Sequence, residues 1–371
     1  RRTAAWLDKR VCQMATPKLT EVYNTNLFFC IFYSTGITLD TEELVCATSR
    51  GTRYYVSAAY WDRDVLLWAF PAILDADPQL AEEILHYIFG RQRKNLGIHS
   101  RYIDGTVLEP GFELDELMSP VLALEAFVEQ TGSRDILEEA NVQQGIAQIL
   151  KVLSSMKHPD IALYETFLQP TDDEILYPYL TYNNVLVWRS LKAIARLYPD
   201  RYAHLEQQAE EVKSAIYRHC VFYDNQKKPY FGWSVDLQGQ HNIYDEPPGS
   251  LQLLPYYGFC ESTDEIWQNT VSMIRSPAYE YSFADSPIAE IGCAHAPYPW
   301  ILSLCNSLLC GYEAQAFREL EILEMDNGIA CESVDPVKGT CTTGAAFATC
   351  AGFLCHSMKT AYRRKEVPHE K

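Results

Sequence analysis

Apolar residues recurring every three to four positions, in paired runs joined by short polar links, constrain this chain more than any other feature. The runs span 63–74 and 78–92, broken at Asp75–Pro78, then 113–132, ending on Gly132, and 133–156, where Ser133 reads as a cap. Residues 182–198 and 201–220 form a further pair, and apolar packing resumes around Leu251–Leu254. Runs at 263–274, 299–311, 313–325 and 343–363 complete the series. Strand-like residues are confined to a few places, notably 54–60 and 229–235, and no βαβ alternation occurs, which argues against a parallel-sheet enzyme. Helix pairs at this spacing build either a solenoid or a closed toroid, and the fixed-period repeat of a solenoid is missing.

A chain of 371 residues is long for one core but suits such a toroid, so residues 1–371 are expected to form one catalytic domain. Its net charge of −18 repels nucleic acid and anionic membrane surfaces, excluding both as partners, and is compatible with a neutral sugar. The 24 tyrosines and 7 tryptophans offer flat apolar faces with polar edges, which suit a sugar ring as well as a core. Twelve cysteines sit mostly in apolar helical runs without a C-x-x-C pair; they read as small hydrophobes in a reducing cytoplasm. The apolar stretches fall short of a membrane span. No signal peptide is visible, and the start at Arg1 leaves room for an upstream segment.

Chemistry is expected where loops break the helical rhythm with charge and aromatics. In the segment 60–64, Asp62 and Asp64 bracket Arg63 beside Trp61; this is either a fork for sugar hydroxyls or a helix cap with a local ion pair. Residues 99–117 gather His99, Arg101, Tyr102, Asp104, Glu109, Glu113, Asp115 and Glu116. A solvated loop and acidic helix start would explain Glu109 and Glu116, but less well Tyr102 and the His–Arg pair. In 169–184, Asp172, Asp173 and Glu174 are adjacent, and like charges oppose each other's ionisation, as a general acid requires. An acidic helix cap is the alternative. Glu332 stands among apolar and small residues, so it is either a paired structural charge or a functional one. Asp245 and Glu246 precede a Pro-Pro-Gly turn, and His295 and Trp300 lie on a Gly/Pro-rich loop, where a lone His is most often structural. Asp40, Glu42 and Glu43 read as a helix cap and solvated face.

The order of these loops resembles glycoside hydrolase family 125, the exo-α-1,6-mannosidases, and more distantly the α/α-barrel glucosidases, including glucoamylase and the glucosidase part of glycogen debranching enzyme. Trp61-Asp62-Arg63-Asp64 stands where the family has aromatic-x-Arg-Asp, and Glu113-Leu114-Asp115 matches its Glu-Leu-Asp helix start. Pro170-Thr171-Asp172-Asp173 matches its Pro-Ser-Asp-Asp, and Asp245-Glu246 with Ser250-Leu251 and Leu254–Tyr256 matches its Asp-Asp…Pro-Ser-Leu-x-x-Leu-Pro-Tyr. His295 with Trp300 fits its His loop, and Cys331-Glu332-Ser333 its His-Glu-Ser. The departures are Asp62 for an apolar residue, Thr171 for Ser, Glu246 for Asp and Cys331 for His.

The resemblance implies an all-α (α/α)6 barrel with small β-hairpin insertions. It implies an inverting exo-glycoside hydrolase on α-linked sugars, with no metal and no cofactor. The acid would be Asp172, with Asp173 close behind, and the base Glu332. Trp61, Asp62, Arg63, Asp64, Tyr102, Glu113, Asp115, Asp245, Glu246, His295 and Trp300 would hold an oligosaccharide or glycan. An α-mannosidase acting on α-1,6 linkages is the first reading. Its rivals are an exo-α-glucosidase, a sugar isomerase or epimerase, which needs a base beside a carbonyl, and a non-catalytic sugar-binding barrel.

Overall fold

The computed structural model describes residues 2–56 and 58–366. Among them, helical elements alternate between an outer and an inner ring. Pro17–Ser34, Pro78–Gly90, Ala140–Ser155, Leu205–His219, Glu265–Ile274 and Glu313–Ile322 stand outside. Inside run Arg63–Ala69 continued by Phe70–Ala76, then Leu114–Thr131, Thr181–Leu197, the short turns Pro247–Gly249 and Leu251–Leu253, Ile301–Leu309 and Ala348–Glu366. The last helix packs on both Ile301–Leu309 and Arg63–Ala69, which closes the ring. The fold is an (α/α)6 barrel.

Burial explains why the two rings read differently. Fourteen of 17 residues in Thr181–Leu197 and all nine in Ile301–Leu309 are buried, so these helices are covered on every side. In Leu205–His219 only Leu205, Ala209, Val212, Ala215 and Ile216 are, one stripe at helical spacing, as an outer helix resting on the ring requires. Capping sets several boundaries. Asp77 accepts from the Leu80 amide to start Pro78–Gly90, and Gly132 at φ 71° ends Leu114–Thr131.

Four expectations are corrected. Ser133 caps nothing: Asp135–Glu138 forms a 3₁₀ turn, and the helix begins at Ala140. In the strand-like 54–60, Ser57 lies outside the described residues, and the others form no strand, Tyr60 alone bridging to Arg101. Residues 229–235 split into Pro229–Phe231 and Ser234–Val235, which pair with different partners. Asp40, Glu42 and Glu43 lie between the paired strands Thr35–Ile37 and Leu44–Cys46, where no helix forms.

Two strand pairs matter for the site: Ile98–Arg101 with Val107–Phe112, and Ser333–Val334 with Cys341–Thr343. All twelve cysteines are free, and nine are buried. No described helix is long and apolar enough to cross a membrane.

Candidate active site

Arg63 opens a seven-residue π-helical stretch, Arg63–Ala69, with every side chain buried. Such π turns are rare and recur at functional sites. Arg63 is 2% exposed yet charged. Its Nη1 donates to Glu113 at 2.7 Å and Asp115 at 3.0 Å, and its Nη2 to Asp172 at 2.5 Å. Glu116 at 3.6 Å and Asp64 at 3.7 Å complete the shell. Glu113, Asp115 and Glu116 come from the start of Leu114–Thr131, where the helix dipole favours carboxylates.

One guanidinium thus faces five carboxyl groups. Burial, opposed by Arg63, pushes Asp64 up to about 7 and drives Glu113 and Glu116 well above their usual range. Among the described residues, several buried polar atoms of this cluster make no hydrogen bond, Glu116 Oε1, Asn183 Oδ1 and Arg63 Nε among them, while His99 Nδ1 and Glu113 Oε1 face one another at 3.3 Å.

The doublet sits on a loop that Gln169 ties together, its amide donating to the Asp173 carbonyl at 2.9 Å and its carbonyl accepting from the Asp172 amide at 2.8 Å. Asp172 takes the left-handed conformation, φ 69°, which Asp tolerates better than most residues. The two carboxylates therefore part. Asp172 turns to Arg63, and Asp173 accepts from Thr171 at 3.0 Å and meets His295 Nδ1 at 3.1 Å. Their side chains are 35% and 49% exposed. Glu246 holds the loop from beneath, accepting from the Thr171 amide at 2.9 Å and sharing with Asp173 the single proton of its hydroxyl, 3.0 Å away.

Glu332, 3% exposed, accepts from the Tyr55 hydroxyl and from Thr343 Oγ1, both at 2.6 Å. Gly344 is required beside it, because a Cβ there would lie 2.4 Å from Glu332 Cβ at a φ of +56°. Burial first, then Glu332, pushes the Tyr55 phenol upward.

The remaining expected residues divide. His295 stands at the mouth with Trp300 edge-on behind it, its indole donating to Ala296. Trp61 packs edge-on against His99. Tyr102 lies in the turn between Ile98–Arg101 and Val107–Phe112, and nothing ties its ring to the cluster among the described residues. Two assignments to sugar contact are corrected. Asp62 is fully buried and paired with Arg101 and Tyr60. Both Asp245 oxygens accept within its own turn, from Ser250 at 2.6 Å and the Leu251 amide at 2.8 Å. Each is a structural carboxylate. Glu116, readable as solvated, is fully buried and accepts the Asp62 amide.

Sequence reading did not single out Tyr55, Thr343 or Asn183, and it left His99 without a role. His99 meets Glu113 at 3.3 Å and Asp172 at 3.5 Å through Nδ1, and Glu109 at 3.2 Å through Nε2. A His beside Arg101 in a charge-rich loop was the available signal. The sequence also showed no metal-ligand set, whereas His99, Glu113 and Asp172 lie close enough to hold a cation. The Arg63 guanidinium already brings positive charge to two of those three ligands.

Fold and site together define a glycoside hydrolase of the α/α-barrel kind. The chain belongs to the metal-independent α-mannosidases, GH125, whose family pattern matches residues 157–358. A solved structure from Streptococcus pneumoniae, from a family of metal-independent α-mannosidases and in a non-productive complex with α-1,6-mannobiose, superposes with a TM-score of 0.83 at 19% identity over 97% of this chain and 98% of that one. A glycosidase variant in complex with glucose reaches 0.68 at 12% identity, covering 93% and 97%. The glucoamylase of Saccharomycopsis fibuligera reaches 0.66 at 13%, covering 98% and 96%. No curated protein sequence matches the chain.

Proposed function

We propose that this α-mannosidase releases terminal mannose from α-1,6-linked glycans in one inverting displacement, with the Asp172–Asp173 doublet supplying the acid and Glu332 acting as the base. The observation that carries this reading is the chain of contacts from doublet to base: Asp173 meets His295, Trp300 packs edge-on behind it and bridges to Ser333, and the Ile301 amide donates to the Glu332 carbonyl. In an inverting reaction the acid protonates the leaving oxygen while the base takes a proton from water on the opposite face, across about 6.5–9.5 Å. Hydroxyls of Tyr55 and Thr343 hold one lone pair on each Glu332 oxygen, which orients the others towards such a water. The solvent-facing polar groups at the doublet, Asp172, Asp173 and His295, would meet the donor sugar, and a sugar that left them unpaired would be rejected. The α-1,6-mannobiose in the Streptococcus relative supports the choice of linkage. Twelve unpaired cysteines support a reducing, cytoplasmic setting.

The test uses Asp172→Asn, Asp173→Asn and Glu332→Gln on α-1,6-mannobiose and on an α-mannoside whose leaving group needs no proton. Glu332→Gln should lose roughly 10²–10⁴-fold on both substrates. The acid variant should lose as much on the disaccharide but recover on the activated substrate, and the other doublet variant should not recover. Near-normal disaccharide turnover by Glu332→Gln, or by both doublet variants, would overturn the reading. Preferential cleavage of α-glucose disaccharides would replace mannose by glucose.

A further inference from the structure

Glu332 is held by two hydroxyls that come from different supports. Thr343 belongs to the strand Cys341–Thr343, paired with Ser333–Val334 next to Glu332 itself. Tyr55 belongs to the turns of residues 51–56, where no helix or strand forms, and is 62% exposed although its hydroxyl reaches Glu332 at 2.6 Å. Among the described residues, the backbone hydrogen bonds of 52–56 stay local. The Tyr54 amide donates to the Gly51 carbonyl at 3.1 Å, and the Val56 carbonyl accepts from the Ala59 amide at 3.4 Å. Side chains must therefore place Tyr55.

The Tyr54 ring stacks on Phe347 at 4.6 Å and meets the Tyr55 ring at 4.8 Å. Arg53 makes the polar tie: its Nη1 donates to Asp326 Oδ1 at 2.6 Å, 273 positions away in the chain. The two ends of this ion pair differ, the Arg53 side chain being 60% exposed and that of Asp326 3%. Asp326 is a fixed point. Its amide donates to the Ile329 carbonyl at 3.0 Å, and the Ile329 amide donates back at 3.1 Å. Asn26 donates to the Gly328 carbonyl at 2.9 Å and accepts from the Ala330 amide at 2.7 Å. The Met325 carbonyl accepts from the Cys341 amide at 3.1 Å. The turn bearing Asp326 is thus stitched to the strand bearing Thr343.

We propose that Arg53 is a positioning residue of the hydrolysis: by pairing with Asp326 it fixes the Tyr55 turn to the Thr343 strand, so that both hydroxyls hold Glu332 in one orientation. Without Arg53, the Tyr55 ring keeps its contact with Tyr54 but its turn loses the polar tie to the strand. A misplacement of about 1 Å in the catalytic geometry costs on the order of 10²-fold, and losing one of two restraints costs less. The proposal rests on Glu332 being the base. A pair that merely neutralised Asp326 would affect stability and leave turnover per folded molecule unchanged.

The test measures kcat and KM per folded molecule on α-1,6-mannobiose for Arg53→Met, Arg53→Lys, Tyr55→Phe and the combination of Arg53→Met with Tyr55→Phe. Because Arg53→Met strands the buried Asp326 carboxylate, the measurement is repeated on Arg53→Met with Asp326→Asn, which leaves neither charge. Both forms should lose about tenfold in kcat with KM held within about twofold. Arg53→Lys should keep at least about half of the parent's kcat, since a single donor suffices at Asp326. Tyr55→Phe should lose on the order of 10–100-fold, as one hydrogen bond to a charged group does. Adding Arg53→Met to it should cost no more than about a further factor of two, because both act through one contact. An unchanged kcat in both Arg53→Met forms, a lysine no better than methionine, or losses that multiply in the combination would overturn the proposal and leave Glu332 as the base. Normal turnover by Tyr55→Phe would overturn it too; only if Glu332→Gln were also normal would the base assignment fall with it.

Discussion

Two buried arginines, Arg63 and Arg101, lie in the same part of the barrel and do opposite things. Arg101 faces one carboxylate, Asp62, and donates its Nη1 to the backbone carbonyls of Gln92 and Asn95, beneath the Tyr60 ring. Its surroundings are closed. Among the described residues Arg63 has no backbone acceptor; it faces five carboxyl groups, one of them open to solvent through the doublet loop. Charge that is matched and enclosed serves the fold, whereas one cation among surplus carboxylates, open on the doublet side, waits for a ligand. Side-chain identity does not separate the two, since each arginine has acids nearby in sequence.

That contrast can be broken by experiment. The largest effect is expected from Arg63→Lys, which cannot reproduce a planar fork across Glu113, Asp115 and Asp172. Its kcat/KM should fall on the order of 10³-fold, a loss of about 4 kcal/mol of transition-state binding, with the fold retained. Arg101→Met should do the reverse, losing about 3–5 kcal/mol of stability by stranding Asp62. Turnover per folded molecule should stay within about threefold, well under one factor of ten. Denaturant titration beside steady-state kinetics checks both, and equal effects on activity would erase the distinction.

A smaller effect concerns pH. Burial raises Asp64 and Asp245 to about 7, and Glu113, Glu116 and Glu246 well above their usual range. The folded chain therefore keeps protons that the unfolded chain has already released, so stability is fullest in mild acid and falls as pH rises through 7. Chemical denaturation should show a loss of more than about 1 kcal/mol from pH 5 to pH 8; a flat or rising profile would contradict the burial argument. The smallest effect belongs to Thr343→Val, which removes one neutral hydrogen bond from Glu332. It should lower kcat about tenfold, matching roughly 1–1.5 kcal/mol, with KM unchanged.

How much of this could be read in advance follows from the range of the forces involved. The stripe on Leu205–His219 and the stop at Gly132 are local signals, and the helix pairs came through clearly. Pro17–Ser34 did not, because Leu27-Phe28-Phe29-Cys30-Ile31-Phe32-Tyr33 is apolar around the whole helix and carries no periodicity. The strands Ile98–Arg101 and Val107–Phe112 were hidden by register shifts that break the two-residue alternation. At the site, the acid doublet, Arg63 and Glu332 stood out through unusual local company. Tyr55 and Thr343 did not, since a lone hydroxyl gains meaning only when folding brings it 2.6 Å from a carboxylate. Asp62 and Asp245 looked like sugar ligands because the side chains that enclose Asp62 and the turn that satisfies Asp245 exist only in three dimensions.

The stereochemistry of the first product tests the account most directly. Proton NMR of α-1,6-mannobiose hydrolysis, read before the anomers equilibrate, should show β-mannose released first, as attack by a water held on Glu332 demands. α-Mannose appearing first would mean a double displacement, and the division of labour between Glu332 and the aspartate loop would be wrong.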